Sequence, residues 1–284
     1  MKIGIVAAYF NPTLSNIRLI NFKTFYSCLP DVPMCIMELA IAGQRFQLEN
    51  TNGVKRVRSD SWMWHKERLI NLGAKHLIET QGVDAILWMD ADTILLDPMY
   101  ITEMCRCLQK YDLVHGFSVI LHQQQRRRSI LITDKPYRNT SGRSSPGGLW
   151  AAHADFFMDV GLYEYCLIGG GDNAVLCGFQ HDEKAIAKTA LPSLAHLEHF
   201  RTWMRTVKQY RIGYIDQTVL ALSHGSIRLR QYIDRHKLLD TFDPVKDVAI
   251  NDDGVFEWTN PLFAARLELY LRSRQEDNIA ITGS

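Results

Sequence analysis

The chain has no Cys-x-x-Cys pair, no apolar run long enough to cross a bilayer and no Gly-x-Gly-x-x-Gly. Each absence removes a class of protein. The six cysteines, at 28, 35, 105, 107, 166 and 177, are scattered. A chain of 284 residues needs no disulfide framework, so reduced thiols in a cytoplasmic setting are expected. A transmembrane helix needs about 20 consecutive apolar residues, and none are present, so no membrane span is expected. Met1 to Tyr9 has one lysine and a short apolar run, then meets Asn11-Pro12 without a small-residue cleavage site. It reads as a first strand rather than a signal peptide. Without the glycine fingerprint, a dinucleotide-binding fold loses its best support. The formal net charge is only +1, so bulk charge points to no partner. No internal repeat, low-complexity tract or clean linker divides the chain, which implies one domain.

What is present is a large apolar fraction, 46%, with 22% charged residues, enough for a substantial core. The stretch that organises the rest runs from Ala85 to Leu95. Ala85 to Met89 is a continuous apolar run and reads as a strand buried on both faces. Asp90 and Asp92 follow at its C-terminal end, the edge where an open α/β sheet binds ligands. Residues two apart in an extended segment point the same way, so both carboxylates are expected to face one ligand. A hard divalent cation takes oxygen ligands and keeps positions open for phosphate oxygens. The alternative is a solvated turn that happens to hold two acids.

In chain order, Ile3 to Ala8 reads as a first parallel strand, and Ser15 as the cap of a helix through Cys28. Val32 to Ala40 reads as a second strand with Glu38 near its end. Glu38 is either a ribose- or base-binding acid or a polar strand-end residue. Gln44 to Asp60 looks irregular. Trp62, Leu69, Ile70, Gly73 and Leu77 make a helical stripe over 62–78, with Ser59-Asp60-Ser61 offering caps. Lys66, Glu67 and Asn71 lie off that stripe and read as a solvated face. A helix over 98–110 and a strand over 112–119 come next. Arg126-Arg127-Arg128 is an exposed loop, read either as merely solvated or as a phosphate-binding lip on the acceptor side. Positions 139–148, rich in Gly and Ser, suggest a lid.

Gly147-Gly148 opens a short strand containing Trp150, and 153–165 reads as a helix. Gly169-Gly170-Gly171-Asp172-Asn173 reads as a tight turn opening a helix with Asp172 as its cap. As a bare cap Asp172 needs no function, but the glycines also leave room for a substrate beside its carboxylate. Residues 182–211 look helical, 212–223 look like a late strand ending in Ser223-His224-Gly225, and 227–239 like a basic helix. A lone His is more often structural, but His224 stands at a strand end as Asp92 does. Two Asp and one His at strand ends suit Mn²⁺ or Mg²⁺. An amphipathic helix over 261–272 precedes ten or so residues that look frayed.

Together these stretches resemble the nucleotide-sugar glycosyltransferases of the GT-A fold. The resemblance lies in Tyr9-Phe10-Asn11-Pro12, in Trp88-Met89-Asp90-Ala91-Asp92, in Gly169-Gly170-Gly171-Asp172-Asn173 and in Ser223-His224-Gly225. It implies an α/β fold with a Rossmann-like, mostly parallel twisted sheet flanked by helices and a small antiparallel portion on the acceptor side. It divides the single domain 1–284 into a nucleotide-sugar half, about 1–118, an acceptor-side half, about 119–240, and a C-terminal helical extension, about 241–284. The implied donor is a nucleoside-diphosphate sugar, by family frequency a UDP-sugar, with Mn²⁺ or Mg²⁺ on Asp92, His224 and Asp90. Donor contacts fall to Ala8, Tyr9, Glu38, Arg58, Lys66, Asp90, Ala91, Gly148 and Trp150. Asp172 matches the acid that deprotonates the acceptor, with Gly171, Asn173 and Arg127 beside the acceptor. Members of the galactosyltransferase type carry Gly-Gly-Glu-Asp where this chain has Gly-Gly-Gly-Asp, which leaves inversion against retention open. The acceptor is a glycan, a small molecule, a protein or, through a basic rim that includes Arg201, Arg205, Lys208 and Arg211, a hydroxymethylated DNA base as in phage enzymes. The rival outside the enzymes is a non-catalytic nucleotide- or carbohydrate-binding module.

Overall fold

The computed structural model describes residues 1–123, 145–182, 191–225, 231, 234–274 and 276–277. The strands, in chain order, are β1 (Ile3–Phe10), β2 (Met34–Ile41), β3 (Val54–Ser59), β4 (Ala85–Asp90), β5 (Thr93–Leu95), β6 (Leu113–His115), β7 (Val119–His122), β8 (Leu149–His153), β9 (Ile212–Tyr214), β10 (Thr218–Ala221), β11 (Val248–Ile250) and β12 (Phe256–Trp258). Seven form one sheet in the order β3-β2-β1-β4-β8-β6-β9, and β5-β10-β7 form a smaller one. In the large sheet only β8 runs against its neighbours. The chain is therefore an α/β protein with a mostly parallel central sheet.

Helices cover both faces of that sheet: α1 (Asn16–Ser27), α2 (Lys66–Gln81), α3 (Tyr100–Leu108), α4 (Ala154–Asp159), α5 (Gly171–Gln180), α6 (Leu194–Thr206) and α7 (Pro261–Ser273). Alternation along the strands divides the core in two. Ile5, Ala7, Leu87 and Met89 pack with Phe22, Phe25 and Met104 of α1 and α3. Val6, Ile86 and Trp88 face the other way and pack with Leu69, Ile70 and Leu77 of α2 and Phe156 and Phe157 of α4. β4 is buried on both faces up to Met89, and Asp90 is the first residue of it that reaches solvent. By the same alternation Asp90 falls on the face that carries α2. α2 lies close to the sheet because it has glycine at 73: a Cβ there would sit 2.8 Å from Val6.

Several boundaries differ from the sequence expectation. β3 occupies part of the stretch read as irregular; as an edge strand it holds Lys55, Arg56 and Arg58 without a hydrophobic alternation. The caps proposed at 59–61 are not used, because α2 starts only at Lys66, after His65. The strand expected over 112–119 splits at Gly116 into β6 and β7, and the one over 212–223 splits into β9 and β10, each pair serving both sheets. The helix expected over 153–165 stops after α4 and turns at Gly161. Of the basic helix over 227–239, the described residues form one short 3₁₀ turn, Asp234–Leu239.

Candidate active site

The C-terminal ends of β1 and β4 lie side by side, with Ala8 paired in register with Asp90. β8 enters from the opposite direction, and the Gly148 carbonyl accepts the Asp90 N–H at 2.8 Å. The strand ends there, and Ala91 and Asp92 form a turn before β5. That turn has a consequence for the acid pair: the two carboxylates take different partners rather than one. Asp90 Oδ1 lies 2.6 Å from Lys66 Nζ, while Asp92 Oδ2 lies 3.2 Å from His224 Nε2. His224 is brought there by sheet pairing. β10 runs antiparallel to β5, and the Leu222 N–H extends the ladder to the Asp92 carbonyl at 2.8 Å. Two residues later the chain places the imidazole against Asp92.

Lys66 joins the two halves of the site. Its ammonium also donates to Asp172 Oδ1 at 2.8 Å and Oδ2 at 3.1 Å. Burial works against the charge on Lys66, but Asp172 and Asp90 outweigh it and hold the ammonium well above the ordinary lysine range. Burial pushes Asp90 up from the usual carboxylate range, and Lys66 opposes the shift. The side chains of Asp90 and Asp172 are about a third exposed, whereas that of Lys66 is 12% exposed. The acids therefore face solvent and the lysine supports them from below.

Asp172 is not the helix cap that the sequence suggested. Gly170 takes that position, in the left-handed region at φ 92°, and Asp172 lies in the first turn of α5 with its carboxylate on Lys66. The glycine triplet has physical causes. Gly169, at φ 90°, leaves its open side to the buried Arg235 guanidinium, and a Cβ on Gly171 would lie 2.0 Å from Glu67 Oε1. Glu67 is 2% exposed and Asn71 6%, so the α2 face read as solvated is buried. Asn71 bonds the Leu162 backbone on both sides of its amide, and Arg68 pairs with Glu164, so the chain after α4 covers this face. Lys66, Glu67, Asp172, Trp88 and Trp150 line a cavity of about 10 Å³, room for about one water at most.

The other residues expected on the donor side lie as follows. Tyr9 is buried, and its hydroxyl donates to Gln47 at 2.9 Å. The carboxylate of Glu38 is buried and accepts the backbone N–H groups of Gln47 and Leu48 at 2.5 and 2.9 Å. Arg58 lies on the edge strand with its guanidinium 4.2 Å from the Phe46 ring centre, and donates to the Gln44 carbonyl. Trp150 is buried and its indole N–H donates to the Pro146 carbonyl. Ala91 sits in the turn between the acids, and Asn173 follows Asp172 on the first turn of α5. Arg127, with its neighbours 126 and 128 and most of the expected lid, lies outside the described residues. Of the basic rim, Arg201 pairs with Glu198, Lys208 with Asp159 and Arg211 with Asp112.

No protein-family model matches the chain, and no curated protein sequence does. Among solved structures, S. aureus TarS 1–349 is similar at 11% identity, over 84% of this chain and 62% of that one, with a TM-score of 0.42. Glucosyl-3-phosphoglycerate synthase from Mycobacterium tuberculosis, in complex with Mn²⁺, UDP and phosphoglyceric acid, is similar at 12% identity, over 88% of this chain and 81% of that one, with a TM-score of 0.38. This chain thus spans less than two thirds of the TarS chain. Scores this low transfer nothing from those proteins, and the chemistry rests on the residues above.

As a divalent-cation site, Asp92 and His224 offer one hard oxygen and one imidazole nitrogen 3.2 Å apart. Among the described residues no group of three His, Cys, Asp or Glu side chains is placed to hold a metal ion. A two-ligand protein site still fits Mg²⁺ or Mn²⁺, because such ions complete their shells with water and substrate phosphate.

The sequence reading missed Glu67. Its signal was present but weak: an acid directly after Lys66, one helical turn before Ile70 and Asn71. Tertiary cover, with Gly171 at the start of α5 packed directly against its carboxylate, turns it from solvent to core.

Proposed function

We propose that the chain is a GT-A-type glycosyltransferase that moves a sugar from a nucleoside-diphosphate sugar, most simply a UDP-sugar, to an acceptor hydroxyl. One observation carries the reading. Asp90 and Asp172, from opposite halves of the chain, meet on one lysine at the sheet's ligand edge, beside Asp92 and His224. A binding module has no need of a solvent-facing carboxylate at Asp172 supported by a buried ammonium.

Asp92 and His224 would hold the cation, which when bound offsets charge on the departing diphosphate. Asp172 takes the proton of the acceptor hydroxyl. The acceptor oxygen forms its bond to the anomeric carbon as the bond from that carbon to the diphosphate breaks, and the nucleoside diphosphate leaves with the electron pair. This is a single displacement with inversion. Lys66 keeps Asp172 and Asp90 at fixed separation, so that the base and the donor-side acid move as one unit. Of the described rim, Arg201, Lys208 and Arg211 are locally paired, which leaves Arg205 as the exposed cation of that set for a DNA acceptor and favours a smaller acceptor.

The test is a screen of UDP- and GDP-sugars for Mn²⁺-dependent turnover, followed by acceptor arrays with the productive donor. Turnover of a UDP-sugar that is lost on chelation is expected. Tight binding of UDP with no turnover of any donor would favour the binding module.

A further inference from the structure

One buried polar group beside the site has no part in the proposed reaction. Glu67 is 2% exposed, and among the described residues its Oε2 has no hydrogen-bond partner. It follows Lys66 on α2, and Gly171, the first residue of α5, packs against its carboxyl. Asp172 is the next residue of α5. Glu67, Lys66 and Asp172 line one cavity of about 10 Å³, whose other walls are Ile70, Trp88, Trp150, Leu162 and Val175. Lys66 Nζ donates to both oxygens of Asp172 and lies 2.6 Å from Asp90 Oδ1.

A polar atom buried without a partner is costly. A bound water removes that cost where there is room for one and two to four polar groups surround it. This cavity is about one water in size. Its polar lining is a carboxyl, an ammonium and a carboxylate, three partners for one molecule. The ammonium can only donate, and the Asp172 carboxylate can only accept. Burial pushes the Glu67 carboxyl up to about 8, which leaves it a proton to donate. A water that accepts from Glu67 and Lys66 and donates to Asp172 satisfies every group. We propose that this cavity binds one water that joins the Glu67 carboxyl to the Asp172 carboxylate, and that Glu67 is thereby a positioning residue for the acceptor-side base. The water site stands on the cavity and its lining, whereas the positioning role rests on the transferase reading above. Lys66 sets the distance of Asp172 from Asp90, and the water, donating from a second direction, sets the orientation of the carboxylate plane.

Magnetic relaxation dispersion of water oxygen counts long-lived internal waters in the chain without donor or metal. Glu67→Leu should lower the count by one, because leucine offers the water no partner. Glu67→Gln keeps a donor in the same place and should leave the count unchanged. An unchanged count in Glu67→Leu overturns the water site. With the donor and acceptor found by the screen above, Glu67→Leu should lower kcat by about tenfold or more while the donor KM stays within twofold, the split expected of a misplaced base. Glu67→Gln should restore kcat to within twofold of the parent. Equal losses in the two variants overturn the positioning role, since hydrogen-bond geometry would then not suffice. If Glu67→Leu fails to fold, a crystal structure of the parent decides: one water within hydrogen-bonding reach of Glu67 and Asp172 is expected, and a dry cavity overturns the site. If the water is counted and lost in Glu67→Leu while no sugar nucleotide is turned over, the water site stands and the transferase reading falls.

Discussion

Glu67 gives the sharpest physical test of the site's foundation. Its side chain is 2% exposed, and its Oε2 has no hydrogen-bond partner among the described residues. An ionised carboxylate oxygen left so would be costly, so the acid should carry a proton in the folded state. Burial pushes its carboxyl up to about 8, against the pull of Lys66 and with help from Asp172. The unfolded value is 4.5. Between these values the folded chain binds one proton more than the unfolded chain. Stability from this group is therefore complete below about 4.5 and is lost as pH rises through about 8. The slope limit is one proton, about 1.4 kcal/mol per pH unit. Glu67→Gln keeps the shape of the protonated acid and has nothing to titrate. Urea unfolding of both proteins at intervals from pH 5 to 8 isolates the effect, because other groups cancel in the difference. His65, pushed down to about 3 by burial, and His115, pushed down to about 4, give stability that rises with pH, but they give it to both proteins. The Gln variant should gain on the parent by up to about 1.4 kcal/mol per pH unit across that window. Parallel curves would mean that Glu67 is ionised in the fold and that the burial argument fails.

Three further outcomes follow from the same geometry. Asp92→Asn should abolish Mn²⁺-assisted UDP binding in calorimetry with an unchanged circular dichroism spectrum, and unaltered binding would remove Asp92 from the cation site. Asp172→Asn should lower transfer turnover by at least about a hundredfold while donor affinity stays within a few-fold; near-parental turnover would end its role as base. Lys66→Met leaves two carboxylates facing each other without their shared cation. Since those acids are about a third exposed, the expected loss is about 1–3 kcal/mol in urea unfolding rather than the larger cost of a fully buried break, and a loss below 0.5 kcal/mol would show that solvent already screens the pair.

The parts of the fold that could be read in the sequence are those in which local pattern and burial agree. β1 and β4 up to Met89 are continuous apolar runs, β2 is one broken only by Glu38, α1 has Ser15 as its side-chain cap, and α7 has the spacing of an amphipathic helix. β3 was hidden because an edge strand with three cations resembles a polar loop. The split of 112–119 and of 212–223 into strands of two different sheets was hidden because both pieces are apolar, and only sheet pairing shows the break. Asp90, Asp92, Asp172 and His224 were legible as individual residues from strand-end and glycine-turn positions. Which of them would pair was not.

That pairing follows from chain geometry that no residue pattern encodes. A strand that continued through Asp92 would aim both acids one way. The strand instead stops at Asp90, whose parity puts it on the α2 face, where Lys66 is the first residue of the helix. β5 then begins at Thr93, and its antiparallel partner β10 determines which later residue meets Asp92. Shifting the β5–β10 register by one residue would turn His224 away, since neighbouring side chains point to opposite faces. The site therefore depends on two short strands of three and four residues. Their pairing is the feature that makes one cluster of Asp90, Asp172 and Lys66 neighbour another of Asp92 and His224, and the proposed transfer stands on that juxtaposition.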